Sequence, residues 1–246
     1  HILTERLAQR STLIVGTYRC VDSVSGSSQF PSAQLLHLRP LQRPAQEALT
    51  AALIGTAAKR AALRELIYQD AGGHPLFVKE VLRELLTQFG SVENLMCASL
   101  PSRVSSGGIL AVIRQRIARM PAQFKELLNY TALAGRQLDI PLLNVVAQSQ
   151  RVDLSSFIGV GQELGILENF DREWRFSHDL LHEEVCAALG PEQCERLHLA
   201  IARSLLTAYP GSTEHSSRLA FHFEAANRPV EAVCHHLRAA EHALQI

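Results

Sequence analysis

Gly165-Ile-Leu-Glu-Asn-Phe-Asp-Arg-Glu-Trp-Arg-Phe176 carries the clearest fold signal in this sequence. Its two apolar ends, Ile166-Leu167 and Trp174-Arg-Phe176, flank the polar residues 169–173, which is the pattern of a small β-hairpin. A helical pattern begins at His178 directly after this stretch. Three further helical patterns precede it, over 121–134, 141–147 and 153–164.

Three helices, a hairpin and a fourth helix are the element order of a winged-helix domain, which we predict over 101–190. The preceding region, 41–100, shows helical spacing and is predicted to be a helical lid. Pro75 suits the first turn of a helix in this lid, because a first-turn proline lacks only a donor that has no helical partner. Residues 91–108 are rich in Ser, Gly and Pro and are predicted to be linker-like.

The two ends of the chain differ in character. Residues 1–40 contain two short apolar runs, at 13–15 and 35–38, which are candidates for buried strands of a small α/β unit. Residues 191–246 contain a long amphipathic helix and then two helices around 226–229, a pair that resembles the first tetratricopeptide hairpin of an α-solenoid. The predicted fold class is therefore mainly α with a small α/β remnant at the start.

The composition of the chain excludes several classes of function. Of 246 residues, 24 are Lys or Arg and 24 are Asp or Glu, and this zero balance gives no support to bulk binding of nucleic acid or of a membrane. No apolar run approaches the roughly 20 residues of a membrane span. Five cysteines without a CxxC pair, and no signal peptide, predict a cytoplasmic chain with reduced thiols. The first residue is not Met, which favours an excised or incomplete chain.

Three short motifs occur in order: Gly16-Thr-Tyr-Arg19, Gly72-Gly-His-Pro-Leu-Phe77 and Arg175-Phe-Ser-His-Asp-Leu-Leu181. Together they resemble the STAND branch of the AAA+ ATPases, the signal-transduction ATPases with numerous domains. The most similar subgroup comprises bacterial regulators whose ATPase module precedes tetratricopeptide repeats, often with a LuxR-type DNA-binding, cyclase or kinase domain. The resemblance covers nearly the whole chain and implies that it is the C-terminal part of such an ATPase module, with residues 1–40 as the last strands of its nucleotide-binding core.

The resemblance implies contacts with ATP or ADP for four residues. Arg19 would be the sensor arginine that faces the terminal phosphate, a role that suits its forked donors. Pro75 would lie against the adenine, and Gly73 would let the backbone approach the nucleotide. His178 would contact the β-phosphate of ADP from a helix start, where backbone donors favour an anion. The alternatives are a surface arginine, an ordinary helix-starting proline, and a helix capped by Ser177.

The sequence lacks the parts that hydrolysis needs. No Gly-x-x-x-x-Gly-Lys-Ser/Thr occurs, and no apolar strand ends in an acidic pair that could hold Mg²⁺. In the family these elements precede the strand that ends near Arg19. We therefore predict no catalytic residue and no metal site in this chain. The resemblance further implies a nucleotide shared with that core, Mg²⁺ only in the complete module, protein partners at the tetratricopeptide-like helices, and nucleotide-dependent oligomerisation.

Other patterns suggest other functions. Residues 159–165 resemble a dinucleotide fingerprint, but the spacing is one residue too long and a helical pattern precedes it. His178 and His182 have the spacing of a zinc-binding helix, but no clear third ligand follows. The pattern 153–164 contains no Lys or Arg, which argues against an initiator-like domain that reads DNA. A helical protein-interaction scaffold that works without nucleotide is the alternative function.

Overall fold

The computed structural model describes residues 15, 34, 36–104 and 108–245. Within these residues the protein is mainly helical, with twelve α-helices and a two-stranded sheet, which confirms the predicted helical class. Residues 40–246 form one compact unit. Its buried apolar side chains fall into a first cluster, between residues 54 and 95, and a second cluster, between residues 113 and 232.

Four α-helices and a short 3-10 helix build the first cluster: α1 (Arg43–Ile54), the 3-10 helix (Gly55–Lys59), α2 (Ala61–Ala71), α3 (Pro75–Phe89) and α4 (Val92–Cys97). Helix α2 ends where Gly72 adopts a left-handed conformation, and α3 begins at Pro75 as predicted. The two helices pack together. Their most deeply buried side chains are Leu63, Ile67, Val78 and Leu85.

Helix α4 lies inside the stretch that was predicted to be a linker. The Ser91 side chain accepts a hydrogen bond from the Asn94 N–H at 3.1 Å and so caps the helix, while Leu95 is completely buried in the first cluster. Arg60 holds the end of α4 by donating to the carbonyls of Leu95 and Ala98, each at 2.6 Å. The linker prediction was wrong here because it was based on the Ser, Gly and Pro content of the segment. The helix depends instead on a local cap and on the burial of one leucine.

The second strand candidate of the sequence, 35–38, is not a strand. Residues 36–38 have no regular secondary structure, and Leu36 and Leu38 are 83% and 89% exposed. A strand needs a neighbour to accept and donate its backbone hydrogen bonds, and in the described part of the chain the only strands belong to a distant hairpin. Val15 is likewise outside any strand, and the rest of the first candidate lies outside the described residues.

The second cluster begins with four helices, a hairpin and a fifth helix: α5 (Gly108–Ala118), α6 (Ala122–Ala134), α7 (Ile140–Gln150), α8 (Leu154–Glu163), β1 (Leu167–Phe170), β2 (Glu173–Phe176) and α9 (Asp179–Ala187). Aspartates cap α7 and α8: the Asp139 side chain accepts from the Leu142 N–H, and that of Asp153 accepts from the Ser156 N–H.

The predicted hairpin is confirmed, with strands longer than the sequence indicated. β1 and β2 pair antiparallel, with Leu167 opposite Phe176. The turn is only two residues, Asp171 and Arg172, both with positive φ (51° and 69°), which matches the backbone twist of a tight hairpin. Residues 136–138 run beside β2, where the Leu138 N–H donates to the Trp174 carbonyl at 2.8 Å.

Three helices complete the second cluster: α10 (Pro191–Ala208), α11 (Ser216–Ala225) and α12 (Pro229–Gln245). Helix α10 packs on α6, α7 and α11, and α11 packs on α12. The Tyr130 hydroxyl on α6 donates to the Ala200 carbonyl of α10 at 3.1 Å. These contacts make α10 the element that joins the helical pair α11–α12 to the rest of the second cluster.

Asp139 ties three helices together. Besides capping α7, its carboxylate accepts hydrogen bonds from the Tyr209 hydroxyl at 2.6 Å and from the Arg218 guanidinium at 2.7 Å. Burial by itself would raise the pKa of Asp139, but these hydrogen bonds and the Leu142 N–H together hold it below its usual value. The ionised carboxylate is therefore the form that joins the N-terminus of α7 to the end of α10 and to α11.

The two clusters meet where α3 packs against α5, and charged side chains line this contact. Glu80 pairs with Arg116, and Glu84 pairs with Arg119 at 2.7 Å. The side chains of Glu80, Glu84 and Arg116 are each no more than 5% exposed. A third contact joins the Arg83 guanidinium on α3 to the carbonyl of Gly165, at 3.3 Å.

Replacing Arg116 by Met should lower the free energy of unfolding by about 3 kcal/mol, because it leaves the buried Glu80 carboxylate with only the half-exposed Arg83, 3.6 Å away, as a counter-charge. The double variant Glu80→Met/Arg116→Met should recover to within about 1 kcal/mol of the native chain, since it removes both desolvated charges. Urea denaturation measures both. Arg196→Met, which breaks the exposed pair with Glu126, is the control and should change stability by less than about 1 kcal/mol. A single variant no worse than this control would contradict the prediction.

Candidate functional site

The four predicted nucleotide contacts fall in different parts of the chain. Arg19 lies outside the described residues. Gly73 and Pro75 stand at the start of α3 in the first cluster, and His178 stands at the start of α9 in the second. Gly73 and Pro75 are therefore close to each other because they are only two residues apart in the chain, whereas His178 lies on a separate element.

Gly73 is required by the packing of the chain around it. It has a φ of 79°, and its carbonyl accepts a hydrogen bond from the Leu41 N–H at 2.7 Å. A Cβ atom at this position would lie 2.4 Å from the Leu41 carbonyl oxygen and 3.0 Å from Pro40. A glycine is thus needed here for a backbone contact within the chain, whatever else binds nearby.

Pro75 is exposed at the first position of α3. The preceding His74 is also exposed, and its ring lies 5.0 Å from that of Phe77, at an angle of 45°. An accessible pyrrolidine face beside two aromatic rings is an apolar surface that a planar base can contact. The unpaired N–H groups of the first turn of α3 add hydrogen-bond donors close to it.

His178 caps α9 with its own side chain. Its Nδ1 atom accepts a hydrogen bond from the Leu180 N–H at 2.9 Å. In the neutral ring, the nitrogen that carries the proton is then Nε2, which is a donor. The alternative cap considered from the sequence, Ser177, makes a different contact, because its hydroxyl donates to the Gly165 carbonyl at 2.6 Å. Asp179 in the first turn pairs with Arg136 at 2.8 Å.

A zinc site at His178 and His182 is not supported. The Nε2 atom of His182 lies 2.9 Å from the Ala132 carbonyl, a contact in which the ring must donate, and Phe176 packs edge-on against the ring. Across residues 36–104 and 108–245 no group of three potential ligands could hold a metal ion. Burial, with Cys194 nearby, raises the pKa of Cys186, so this neighbouring thiol stays protonated.

One carbonyl links the two parts of the candidate site. Gly165 accepts both from Arg83, two turns along the helix that Pro75 begins, and from Ser177, the neighbour of His178. Gly165 has a φ of 64°, and a Cβ atom there would lie 2.5 Å from the Arg83 guanidinium. Sequence reasoning missed this link because the two residues are 82 positions apart, and neither the hairpin signal that begins at Gly165 nor the helical pattern around Arg83 indicates a contact between them.

The sequence model of one protein family, described as a domain of unknown function (DUF8739), matches residues 42–89. These residues correspond to α1, the 3-10 helix, α2 and α3, and the match ends at the last residue of α3. No curated protein and no solved structure is similar to the chain beyond chance. No helix of the described residues is long and apolar enough to cross a membrane.

Gly73→Ala should destabilise the chain more than Gly90→Ala does. Both glycines have nearly the same φ (79° and 80°), so alanine meets similar backbone strain, roughly 1–3 kcal/mol, at both positions. Only at Gly73 would the new Cβ also collide with backbone, since the nearest atom at Gly90 is 3.9 Å away. Urea midpoints measure the difference. Equal losses of stability in the two variants would show that the backbone near Leu41 moves to accommodate the new Cβ atom without measurable destabilisation.

Proposed function

We propose that this chain is the regulatory part of a nucleotide-switched signal-transduction ATPase of the STAND branch. In this proposal α1–α4 form the helical lid (41–100), residues 101–190 the winged-helix domain, and residues 191–246 a linker helix with the first tetratricopeptide-like hairpin. Residues 1–40 would complete the nucleotide-binding core. The order of helices, hairpin and capped helix in the described residues supports this assignment.

The observation that carries the proposal is the histidine cap of α9. Because Nδ1 of His178 accepts the Leu180 N–H, a neutral ring carries its hydrogen at Nε2, the kind of donor that phosphate oxygens accept. The first turn of a helix also favours an anion. His178 thus has the chemistry expected of a residue that contacts the β-phosphate of ADP.

The remaining residues have complementary roles. Pro75 would contact the adenine, Gly73 would keep the backbone close to it, and Arg19 would sense the terminal phosphate. Bound nucleotide supplies the phosphate charge that distinguishes the ADP form from the ATP form. Since the sequence contains no phosphate-binding loop, the chain alone would not hydrolyse ATP, and Mg²⁺ would bind only in the complete module.

Such a chain acts as a switch if its contacts differ between two states. A ligand shifts a conformational equilibrium only by its differential affinity for the two states. A contact of His178 made only in the closed, ADP-bound state would provide this difference. The helical pair α11–α12 would then couple opening to binding of a protein partner and to oligomerisation, in transcriptional, cyclase or kinase signalling in the cytoplasm.

His178→Ala should weaken ADP binding about 10–100-fold, the worth of one hydrogen bond to a charged group. The protein to measure by calorimetry is the chain joined to its phosphate-binding core, beside the chain alone, which should not bind. His178→Asn is the matched control, because asparagine caps a helix well but lacks the ring nitrogen Nε2.

The two variants separate a nucleotide contact from a structural cap. Equal losses of ADP affinity in both variants would support the contact with phosphate. Full affinity in His178→Asn together with weak affinity in His178→Ala would mean that only the cap matters. Unchanged affinity in both, or no ADP binding by the joined protein, would overturn the proposed function.

A second candidate function, a helical protein-interaction scaffold, is favoured by the outer face of α12. An apolar stripe on this helix is exposed, and it consists of Val230 (74%), Val233 (56%), Leu237 (62%) and Leu244 (88%). With the exposed Ala240 the spacings alternate between three and four residues, which is the seam of a coiled coil. The partner that fits this stripe is a helix of another protein with an apolar stripe of the same spacing.

Leu237→Glu should abolish binding of such a helix while leaving the folded chain intact, because Leu237 is already exposed to water. The probe is a synthetic amphipathic peptide with strict heptad spacing, followed by fluorescence anisotropy without nucleotide. Arg238→Glu, one residue away and outside the stripe, is the control. Equal binding by the native chain and by Leu237→Glu would exclude the stripe as the docking face.

A further inference from the structure

Two histidines face each other in the seam between α10 and α11. The Nδ1 atoms of His198 and His222 are 2.8 Å apart, and the rings are tilted by 38° with their centres 5.1 Å apart. His198 is 8% exposed and His222 is 2% exposed. Phe221 packs edge-on against the His198 ring from the outer side. The pair is therefore almost fully removed from water.

Two nitrogens at this distance share one proton. One Nδ1 must carry a hydrogen and donate, while the other must be bare and accept, so at least the accepting ring is neutral. A proton added to the accepting ring would place two N–H groups face to face. A second proton on the donating ring, at its Nε2, would leave the hydrogen bond intact but would place a charge where both side chains are almost fully buried. The closed seam thus excludes the doubly protonated pair and disfavours the singly protonated one.

The charges around the pair oppose protonation as well. On α11, Arg218 lies one turn before His222, and the Asp139 carboxylate of α7 neutralises it only in part. On α12, which packs against α11, His235 stacks on Phe223 with Arg238 near it, and His236 lies 3.5 Å from the Glu224 carboxylate of α11.

These surroundings act on both rings. Burial, the neighbouring His198 and Arg218 lower the pKa of His222 to about 3, and burial lowers the pKa of His198. His235, on α12, is a separate buried histidine whose pKa is also lowered by burial.

We propose that the His198–His222 pair makes the seam between α10 and α11 acid-sensitive. Opening of the seam exposes the two imidazoles to water, and mild acid favours the open form by protonating them there. The device is independent of nucleotide and goes beyond the proposed function. It lies between the linker helix α10 and the helical pair α11–α12, and its opening changes how that pair is held against the rest of the second cluster.

The sign follows from proton uptake. In the closed seam both rings stay neutral, whereas in the open seam each regains an ordinary pKa near 6.5. Below that pH the open form binds more protons, so the opening constant rises as the pH falls. Between pH 7 and pH 5 the rise is about 25-fold for one histidine and about 600-fold for two.

Hydrogen exchange of the α11 amides measures this opening directly, after correction for the intrinsic pH dependence of exchange. The native chain should show the rise of about 25- to 600-fold from pH 7 to pH 5 in α11, while the α3 amides show no comparable change. His235 is buried and stacks on Phe223 of α11, so opening of α11 exposes it as well, and His235→Asn is therefore the background for the test. The rise should persist in His235→Asn. Adding His198→Asn/His222→Asn, which keeps polar atoms at the δ position but cannot titrate, should abolish it.

The tautomers give a second measurement that needs no variant. In the native chain at pH 7, imidazole ¹⁵N shifts should show one Nδ1–H ring and one Nε2–H ring, and no imidazolium in the closed seam at pH 6. Several results would overturn the proposal. These are α11 exchange that does not respond to pH, a response that survives in the triple variant or vanishes in His235→Asn alone, and a protonated pair in a closed seam.

Discussion

The ion pairs between α3 and α5 hold the two hydrophobic clusters in one relative position, and the geometry of the candidate site depends on them. Apolar contacts tolerate sliding, whereas a buried carboxylate must stay beside its guanidinium because the alternative is an unpaired charge away from water. Glu80 meets Arg116 on α5, and Glu84, one turn further along α3, meets Arg119 just beyond the end of α5. This pairing sets the register of α3 on α5.

That register connects the two ends of the proposed nucleotide site. Pro75 starts α3, and Arg83 lies about 12 Å further along the same rigid helix, at a rise of 1.5 Å per residue. Arg83 reaches the Gly165 carbonyl, which also accepts from Ser177 beside the capping histidine. A shift of α3 would therefore move the first turn of α3 and the support of α9 together. The family match over residues 42–89 ends with this helix, which is consistent with α1–α3 folding as a unit.

The far side of the second cluster depends on polar groups in the same way. The Asp139 carboxylate and the His198–His222 pair both bind α11 to its neighbours, one through an ion pair and one through a shared proton. The aspartate must be ionised for these contacts, and at least one of the two histidines must be neutral. The attachment of α11 and α12 therefore depends on titratable groups, unlike the apolar contacts among α6, α7 and α10.

Local signals in the sequence were sufficient for most elements of the fold. The hairpin, the start of α3 at Pro75 and the three last helices follow from alternation, from a fixed φ and from 3.6-residue periodicity, which act over a few neighbouring residues. Where the prediction failed, the deciding contact was not local. Leu95 made a helix of a linker-like segment because a core was present to bury it, and residues 36–38 are not a strand, since among the described residues no strand pairs with them.

Residue order was enough to predict a mainly helical chain with one hairpin and without a phosphate-binding loop, since these features depend on neighbouring residues alone. Which charges are buried became clear only from the packing of the helices. Glu80 and Arg116 have the composition of surface residues, and His198 and His222 are separated by a turn and by part of two helices. Side chains that are far apart in the chain come into contact only when the helices pack. The packing therefore determines whether a titratable group stays hydrated or is buried beside another polar group.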